Sequence, residues 1–208
     1  NAVNDKPTAS SQTVLVNEDE DITVTLEGTD TEDSDLTYII TSLPANGTLY
    51  QTSNGTSRGS AITSLPTTVS NGNHRLIYVS AENGNGNGHG NFSFKVNDGG
   101  LDSEAATVTV NVVAVDDAPT VSNAISDIST SEDADNTTIN ITSVFADVDN
   151  DDSSILDSLV SNSDTSLVAV TIANNTITLD YKENACGNAT IVVKGTSNGK
   201  SVNETFTV

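Results

Sequence analysis

Apolar and polar residues alternate with a period of two through most of the chain. Asp21 to Glu27 puts Ile22, Val24 and Leu26 on one face, and Asn91 to Asn97 does the same with Phe92, Phe94 and Val96. Ala106 to Val112 alternates Val108, Val110 and Val112, and His74 to Ser80 sets Leu76 and Tyr78 against Arg75 and Ile77. Such alternation predicts half-buried β-strands. Further strands are expected over residues 13–16, 36–41 and 48–50, with turns at Ala45-Asn46-Gly47 and Asp98-Gly99-Gly100. Residues 51–73 predict strands only weakly, and residues 82–90 (ENGNGNGHG) read as a loose surface loop. The second half repeats the plan, with strands expected over 121–128, 138–142, 167–172, 176–180, 189–194 and 202–208. No stretch has a helical period. The pattern predicts an all-β chain of two tandem Greek-key β-sandwiches, with about seven strands each.

One short pattern occurs twice. Ala2-Val3-Asn4-Asp5-Lys6-Pro7 and Ala114-Val115-Asp116-Asp117-Ala118-Pro119 both read A-V-[ND]-D-x-P. The proline fixes φ and removes a donor, and it pushes the preceding residue toward extended backbone. Each copy therefore reads as an extended joint that offers side-chain oxygens. The joint predicts two domains, residues 1–115 and 116–208. The chain begins in one joint and stops on a strand, as expected of an excerpt from a longer array.

The charge balance sharpens this. Lys and Arg number 7 against 29 Asp and Glu, a net charge of −22. No basic patch is available, which argues against nucleic acid and anionic membranes as partners. No apolar run approaches the roughly 20 residues of a membrane span, so direct membrane insertion is not expected. The acids repel one another in a compact state unless cations bind. Cys186 is the single cysteine, so no intradomain disulfide can staple either small domain. Bound metal is one substitute.

Catalytic patterns are weak. Gly55-Thr56-Ser57-Arg58-Gly59 matches G-x-S-x-G, but a nucleophile elbow needs a strand, a sharp turn and a helix, and this stretch reads as a polar turn. His74 and His89 are the two histidines and have no metal-ligand spacing. No enzyme is expected. Trp is absent, and only Tyr50 and Tyr181 are placed to stack on a sugar.

Taken in order, several motifs resemble the cadherin-like immunoglobulin-fold repeats of large bacterial surface and secreted proteins, adhesins above all. In the first half they are Asn17-Glu18-Asp19, residues 29–38 (TDTEDSDLTY), 43–49 (LPANGTL), 91–99 (NFSFKVNDG) and 110–119 (VNVVAVDDAP). In the second half they are residues 125–129 (ISDIS), 131–133 (SED), 145–152 (FADVDNDD) and 184–191 (NACGNATI). The resemblance implies calcium where consecutive domains meet. Calcium takes six to eight oxygens, mostly carboxylates and carbonyls. The ligands expected at the central joint are Glu18, Glu82, Asp116, Asp117, Asp147 and Asp149. A half-site is expected at the other pole of the first domain, from Asn4, Asp5, Asp30, Glu32 and Asp98. Two departures bear on this. Asn198-Gly199 stands in the second half where the first has Asp98-Gly99, and Glu82 matches the pattern loosely.

The function so implied is a calcium-stiffened extracellular repeat module at the cell surface, partnered by neighbouring repeats of its own chain. The alternatives are a calcium-dependent carbohydrate-binding accessory module of a secreted protein, with polysaccharide or another cell-surface ligand as partner, and a homophilic adhesion domain.

Overall fold

The computed structural model describes residues 3–32 and 35–208; Ala2 of the first joint pattern and Asp33 and Ser34 of the first acidic loop lie outside the described residues. The chain is all-β and forms two compact units, Asn1–Val115 and Asp116–Val208.

Unit 1 runs β1 (Thr8–Ala9), β2 (Gln12–Asn17), β3 (Asp21–Thr25), β4 (Gly28–Thr29), β5 (Thr37–Ser42), β6 (Thr48–Gln51), β7 (Thr67–Thr68), β8 (Arg75–Val79), β9 (Phe92–Asn97) and β10 (Ala106–Val113). Successive strands divide between two sheets, ordered β2-β10-β9-β5-β7 and β3-β8-β6, with a small β1-β4 pair beside them. One pairing breaks the antiparallel rule. β10 runs parallel to β2, from Val108 opposite Gln12 to Val113 opposite Asn17. The last strand therefore ends beside Glu18. The expected alternation decides which side chains are inside. Val24, Leu76 and Leu49 from one sheet meet Ile40, Phe94, Val108 and Val110 from the other in a single core. Ile77, expected on the outer face, is buried as well.

The Gly-Asn stretch differs from its expectation. It is laced to β10: the Gly86 N–H donates to the Val112 carbonyl at 2.8 Å, and the Gly86 carbonyl accepts the Val112 N–H at 3.0 Å. Gly88 N–H donates to Asn111 Oδ1 at 2.7 Å. Side-chain periodicity carries no trace of this, because the bonds are made by backbone and a strand side chain. Gly90 permits the fit. A Cβ there would stand 2.2 Å from the Tyr78 hydroxyl oxygen, which is buried in the core.

Unit 2 runs β11 (Thr120–Val121), β12 (Thr137–Asn140), β13 (Phe145–Ala146), a 3₁₀ turn (Asp152–Ser154), β14 (Leu156–Asn162), β15 (Val168–Ala173), β16 (Thr176–Tyr181), β17 (Thr190–Ser197) and β18 (Lys200–Thr207). Two sheets, β12-β16-β15 and β14-β17-β18, close over Ile141, Phe145, Val168, Ile177, Leu179, Ile191, Val193 and Phe206. Phe145 lies on β17 where Gly195 leaves room, since a Cβ at 195 would stand 2.6 Å from the ring. Two tight hairpins use positive φ at both central residues: Asn174 and Asn175 (50° and 55°), and Asn198 and Gly199 (44° and 85°). That is the geometry whose twist matches the flanking strands.

Two expectations fail here. The strand expected over 121–128 is ordered as a strand only at Thr120–Val121. β14, by contrast, was not expected. Its register slips between Leu159 and Ser161, and Leu156, Leu159 and Val160 are all exposed, so no period of two survives. No helix among the described residues is long and apolar enough to cross a membrane.

Candidate metal sites

The end of unit 1 that carries Glu18 is assembled by the parallel β2–β10 pairing. Glu18 N–H donates to the Val113 carbonyl at 2.9 Å, which draws the side chain back under the last strand. Only 2% of Glu18 is exposed. Its carboxylate is held twice, by the Val115 N–H on Oε1 at 2.6 Å and by Asn85 Nδ2 on Oε2 at 3.1 Å. Asp19 turns with φ 60° and accepts the Asn83 N–H on Oδ1 at 3.3 Å. Glu82 is exposed on the same turn as Asn83. The structure thus brings Glu18, Asp19 and the 82–85 turn together, with Glu82 at the rim.

The opposite end of unit 1 gathers the other five candidates. Asn4 Nδ2 donates to Asp98 Oδ2 at 3.0 Å, and Asp5 N–H donates to Glu32 Oε2 at 3.2 Å. Glu32 N–H in turn donates to Asp30 Oδ1 at 2.9 Å. Asp98 Oδ1 caps its own turn, accepting the N–H groups of Gly100 and Leu101, each at 2.7 Å. The N–H groups of Leu101 and Gly100, with the Asn4 amide, hold the Asp98 carboxyl below the usual carboxylate range.

In unit 2 the acidic loop after β13 folds around Asp147. Asp147 Oδ1 accepts from the backbone of Asp149 and Asn150, both at 2.9 Å, and from Asn150 Nδ2 at 3.2 Å. Its Oδ2 is buried and has no hydrogen-bond partner. The Ser197 hydroxyl, also buried, lies beside this carboxylate and does most to lower its pKa. Burial pushes the Asp147 carboxyl up, but Ser197 and the donors from Asp149 and Asn150 outweigh it and bring it below the ordinary value. Asp117 N–H donates to Asp149 Oδ2 at 2.7 Å. Asp116 Oδ1 takes two amides, Asn150 Nδ2 and Asn198 Nδ2, each at 2.8 Å. The Lys200 ammonium donates to the Asp116 carbonyl and stands 3.7 Å from its Oδ2. Asn198, Asn150 and Lys200 together hold the Asp116 carboxyl low.

The donors suit calcium in kind, being carboxylates with one orphaned buried oxygen on Asp147. They are not pre-converged: among the described residues no three His, Cys, Asp or Glu side chains stand close enough to share an ion. Asn85, Asn150 and Lys200 were not anticipated as parts of these sites. Amides outside the A-V-[ND]-D-x-P pattern, and a lysine, carry no metal-ligand signal in a sequence. Only the fold shows them gripping the acids.

Other candidate groups have structural partners. The Ser57 hydroxyl accepts from Asn54 Nδ2 at 3.2 Å in a turn, and the adjacent Arg58 pairs with both carboxylate oxygens of Asp21. The His74 ring stacks on Tyr38 with centroids 4.1 Å apart. Arg58 covers the ring of Tyr50 at 5.6 Å from its centroid. The Tyr181 hydroxyl donates to Thr137 at 2.8 Å, while its ring lines a cavity of about 220 Å³ with Ile128, Leu167 and the exposed Cys186.

Two facing sheets, a parallel pairing of an early strand with the last one, and loops gathered at the sheet ends define the immunoglobulin-like class of β-sandwich. The chain belongs to the family of SibA-like, immunoglobulin-like domains, whose model matches residues 3–112, the body of unit 1. No curated protein matches it. Solved structures with a similar course include an endo-fucoidan hydrolase from glycoside hydrolase family 107, at 18% identity and TM-score 0.37, over 97% of this chain and 28% of that one. Drosophila N-cadherin EC1-4 is similar at 16% identity and TM-score 0.46, over 99% of this chain and 49% of that one. The titin domains z1z2, in complex with telethonin, are similar at 14% identity and TM-score 0.34, over 99% of this chain and 96% of that one. The chain thus spans about a quarter of the fucoidan hydrolase and half of the N-cadherin fragment. At these identities and scores the likenesses say nothing of activity.

Proposed function

We propose that the chain is a non-catalytic, extracellular adhesion module whose domains are stiffened by calcium. The ion is held by Glu18 and Glu82 of unit 1, by Asp116 and Asp117 of the connecting stretch, and by Asp147 and Asp149 of unit 2. Asn4, Asp5, Asp30, Glu32 and Asp98 supply half of a similar site for a preceding repeat. The observation that carries this reading is Asp147 Oδ2, a buried carboxylate oxygen without a hydrogen-bond partner in a chain of net charge −22. An unsatisfied buried charged oxygen is costly, and a divalent cation is the partner that such a site accepts most readily. Without calcium the acids repel one another and the joint is held less firmly. With it, the repeats hold a fixed angle and act as a spacer that keeps binding domains off the cell surface.

Extracellular sites of this kind bind at roughly 10⁻⁴–10⁻³ M. At tenfold excess over the dissociation constant one site adds about 1.4 kcal/mol, or about 6 °C of melting temperature for a domain near 100 residues. Thermal melts in millimolar calcium and in chelator test this, together with Asp147→Asn. Calcium should raise the melting temperature of the natural chain and raise that of the variant much less. Equal melting with calcium and with chelator would refute the reading.

A second reading rests on Tyr181, whose ring lines the unit 2 cavity. It is polysaccharide binding at that cavity. Pull-down on insoluble polysaccharides should then succeed with the natural chain and fail with Tyr181→Ala.

A further inference from the structure

Lys200 is one of 7 Lys and Arg in a chain with 29 Asp and Glu, and it stands among the carboxylates of the acidic end of unit 2. The β17–β18 hairpin puts it there. Asn198 and Gly199 make the turn, Ser197 pairs with Lys200, and the hairpin returns over the first residue of the unit. Its ammonium donates to the Asp116 carbonyl and lies 3.7 Å from Asp116 Oδ2. The amides of Asn150 and Asn198 fill Oδ1. Every oxygen that Asp116 could offer an ion thus faces a donor of the chain itself. Unit 1 is built differently at its own Asp-Gly turn. Asp98-Gly99-Gly100-Leu101 supplies a carboxylate where unit 2 supplies the Asn198 amide, and no cation follows it in the turn.

We propose that Lys200 is a tethered counter-ion, which holds Asp116 in the position a metal ion would hold it and competes with calcium for the acidic end of unit 2. The inference rests on the calcium reading above. It goes beyond that reading in making the two units unequal. Unit 2 carries a built-in monovalent cation that keeps its acids together when calcium is scarce and sets a higher calcium threshold. Binding there requires the ammonium to swing out, which its half-exposed, flexible stem permits.

The test uses the full chain with Lys200→Met, Asp116→Asn, the double variant, and Lys182→Met. The last removes another unit 2 cation, paired with Asp180, as a control for net charge. Calcium titration by calorimetry and thermal melting in chelator are measured for each. Lys200→Met should bind calcium about tenfold more tightly, the effect of removing one unit charge about 6 Å from a divalent ion in high-dielectric surroundings. It should also melt lower in chelator. In the Asp116→Asn background neither effect should remain, and Lys182→Met should produce neither. If the natural chain binds calcium and Lys200→Met binds it equally, the competition is refuted and the calcium reading stands. If Lys182→Met gains as much as Lys200→Met, the effect is bulk charge and the proposal fails. If no variant binds calcium, both readings fall together.

Discussion

Glu18 offers the sharpest separation of a structural role from a metal-binding one. The side chain is 2% exposed, and its two oxygens receive the Val115 N–H at 2.6 Å and Asn85 Nδ2 at 3.1 Å. Glu18→Ala removes both acceptors and leaves two donors facing a small void. Hydrogen bonds to charged groups contribute roughly 1.5–3 kcal/mol each, and an orphaned buried donor costs about 1–3 kcal/mol. Water entering at the rim recovers part of this, so a net loss of about 3 kcal/mol is expected for unit 1. At roughly 4 °C per kcal/mol for a domain of this size, its melting temperature should fall by about 12 °C. Glu18→Gln is the contrasting change. Its carbonyl keeps the Val115 N–H, and Asn85 can turn its amide to accept from the new NH₂ group. In chelator it should cost about 1 kcal/mol, because only the charge is lost. Its calcium-dependent rise in melting temperature should nevertheless shrink, since a neutral amide is a poorer calcium ligand. The assay is calorimetric melting of the three chains in chelator and in calcium. A Glu18→Ala chain that melts within 2 °C of the natural one in chelator would refute the structural role, by the same conversion. A Glu18→Gln chain with an undiminished calcium response would remove Glu18 from the ligands.

Further outcomes follow from single positions. Asp157 on β14 has a buried, unpartnered Oδ1, and burial pushes its carboxyl up. Its protonated form is the better tolerated one in the fold, so the stability it allows is present below the unfolded carboxylate range and is lost as pH rises through the raised folded value. Asp157→Asn should therefore raise the melting temperature of unit 2 at pH 7 and give no gain at low pH; an unchanged melt at pH 7 would count against this. Asp98 has the opposite sign. Its carboxyl is held low by the Leu101 and Gly100 N–H groups, so its contribution is present at neutral pH and is lost as pH falls through the lowered folded value. Asp98→Ala should destabilise unit 1 at pH 7 and lose that effect in acid, as melts across the pH range would show. Gly195→Ala drives a methyl group into the Phe145 ring and should cost about 1–3 kcal/mol by urea denaturation, the usual cost of overpacking.

The parts of the fold that the amino-acid sequence declared are those in which one face is buried and the other wet. β3, β9 and β10 show it best: Val24, Phe94 and Val108 are fully buried while their sequence neighbours are not. β14 was invisible for the complementary reason. A strand at the edge of its sheet, with a register slip and exposed Leu156, Leu159 and Val160, has no clean inside. The lacing of the Gly-Asn stretch to β10 was invisible because backbone groups make most of it. At the candidate sites the carboxylates were expected from the family resemblance and from acids recurring where loops should gather. Their partners could not. Lys200 and Asn198 reach Asp116 only through the β17–β18 hairpin, across most of unit 2. Such long-range pairing is a property of topology rather than of local pattern.

Calcium binding by the intact chain is the claim on which the rest depends, and isothermal titration calorimetry of calcium into the natural chain and into Asp147→Asn tests it most directly. Saturable heat with a dissociation constant of roughly 10⁻⁴–10⁻³ M, weakened at least tenfold in Asp147→Asn, is the expected result. The absence of binding heat in the natural chain at millimolar calcium, or equal binding by the two chains, would contradict it.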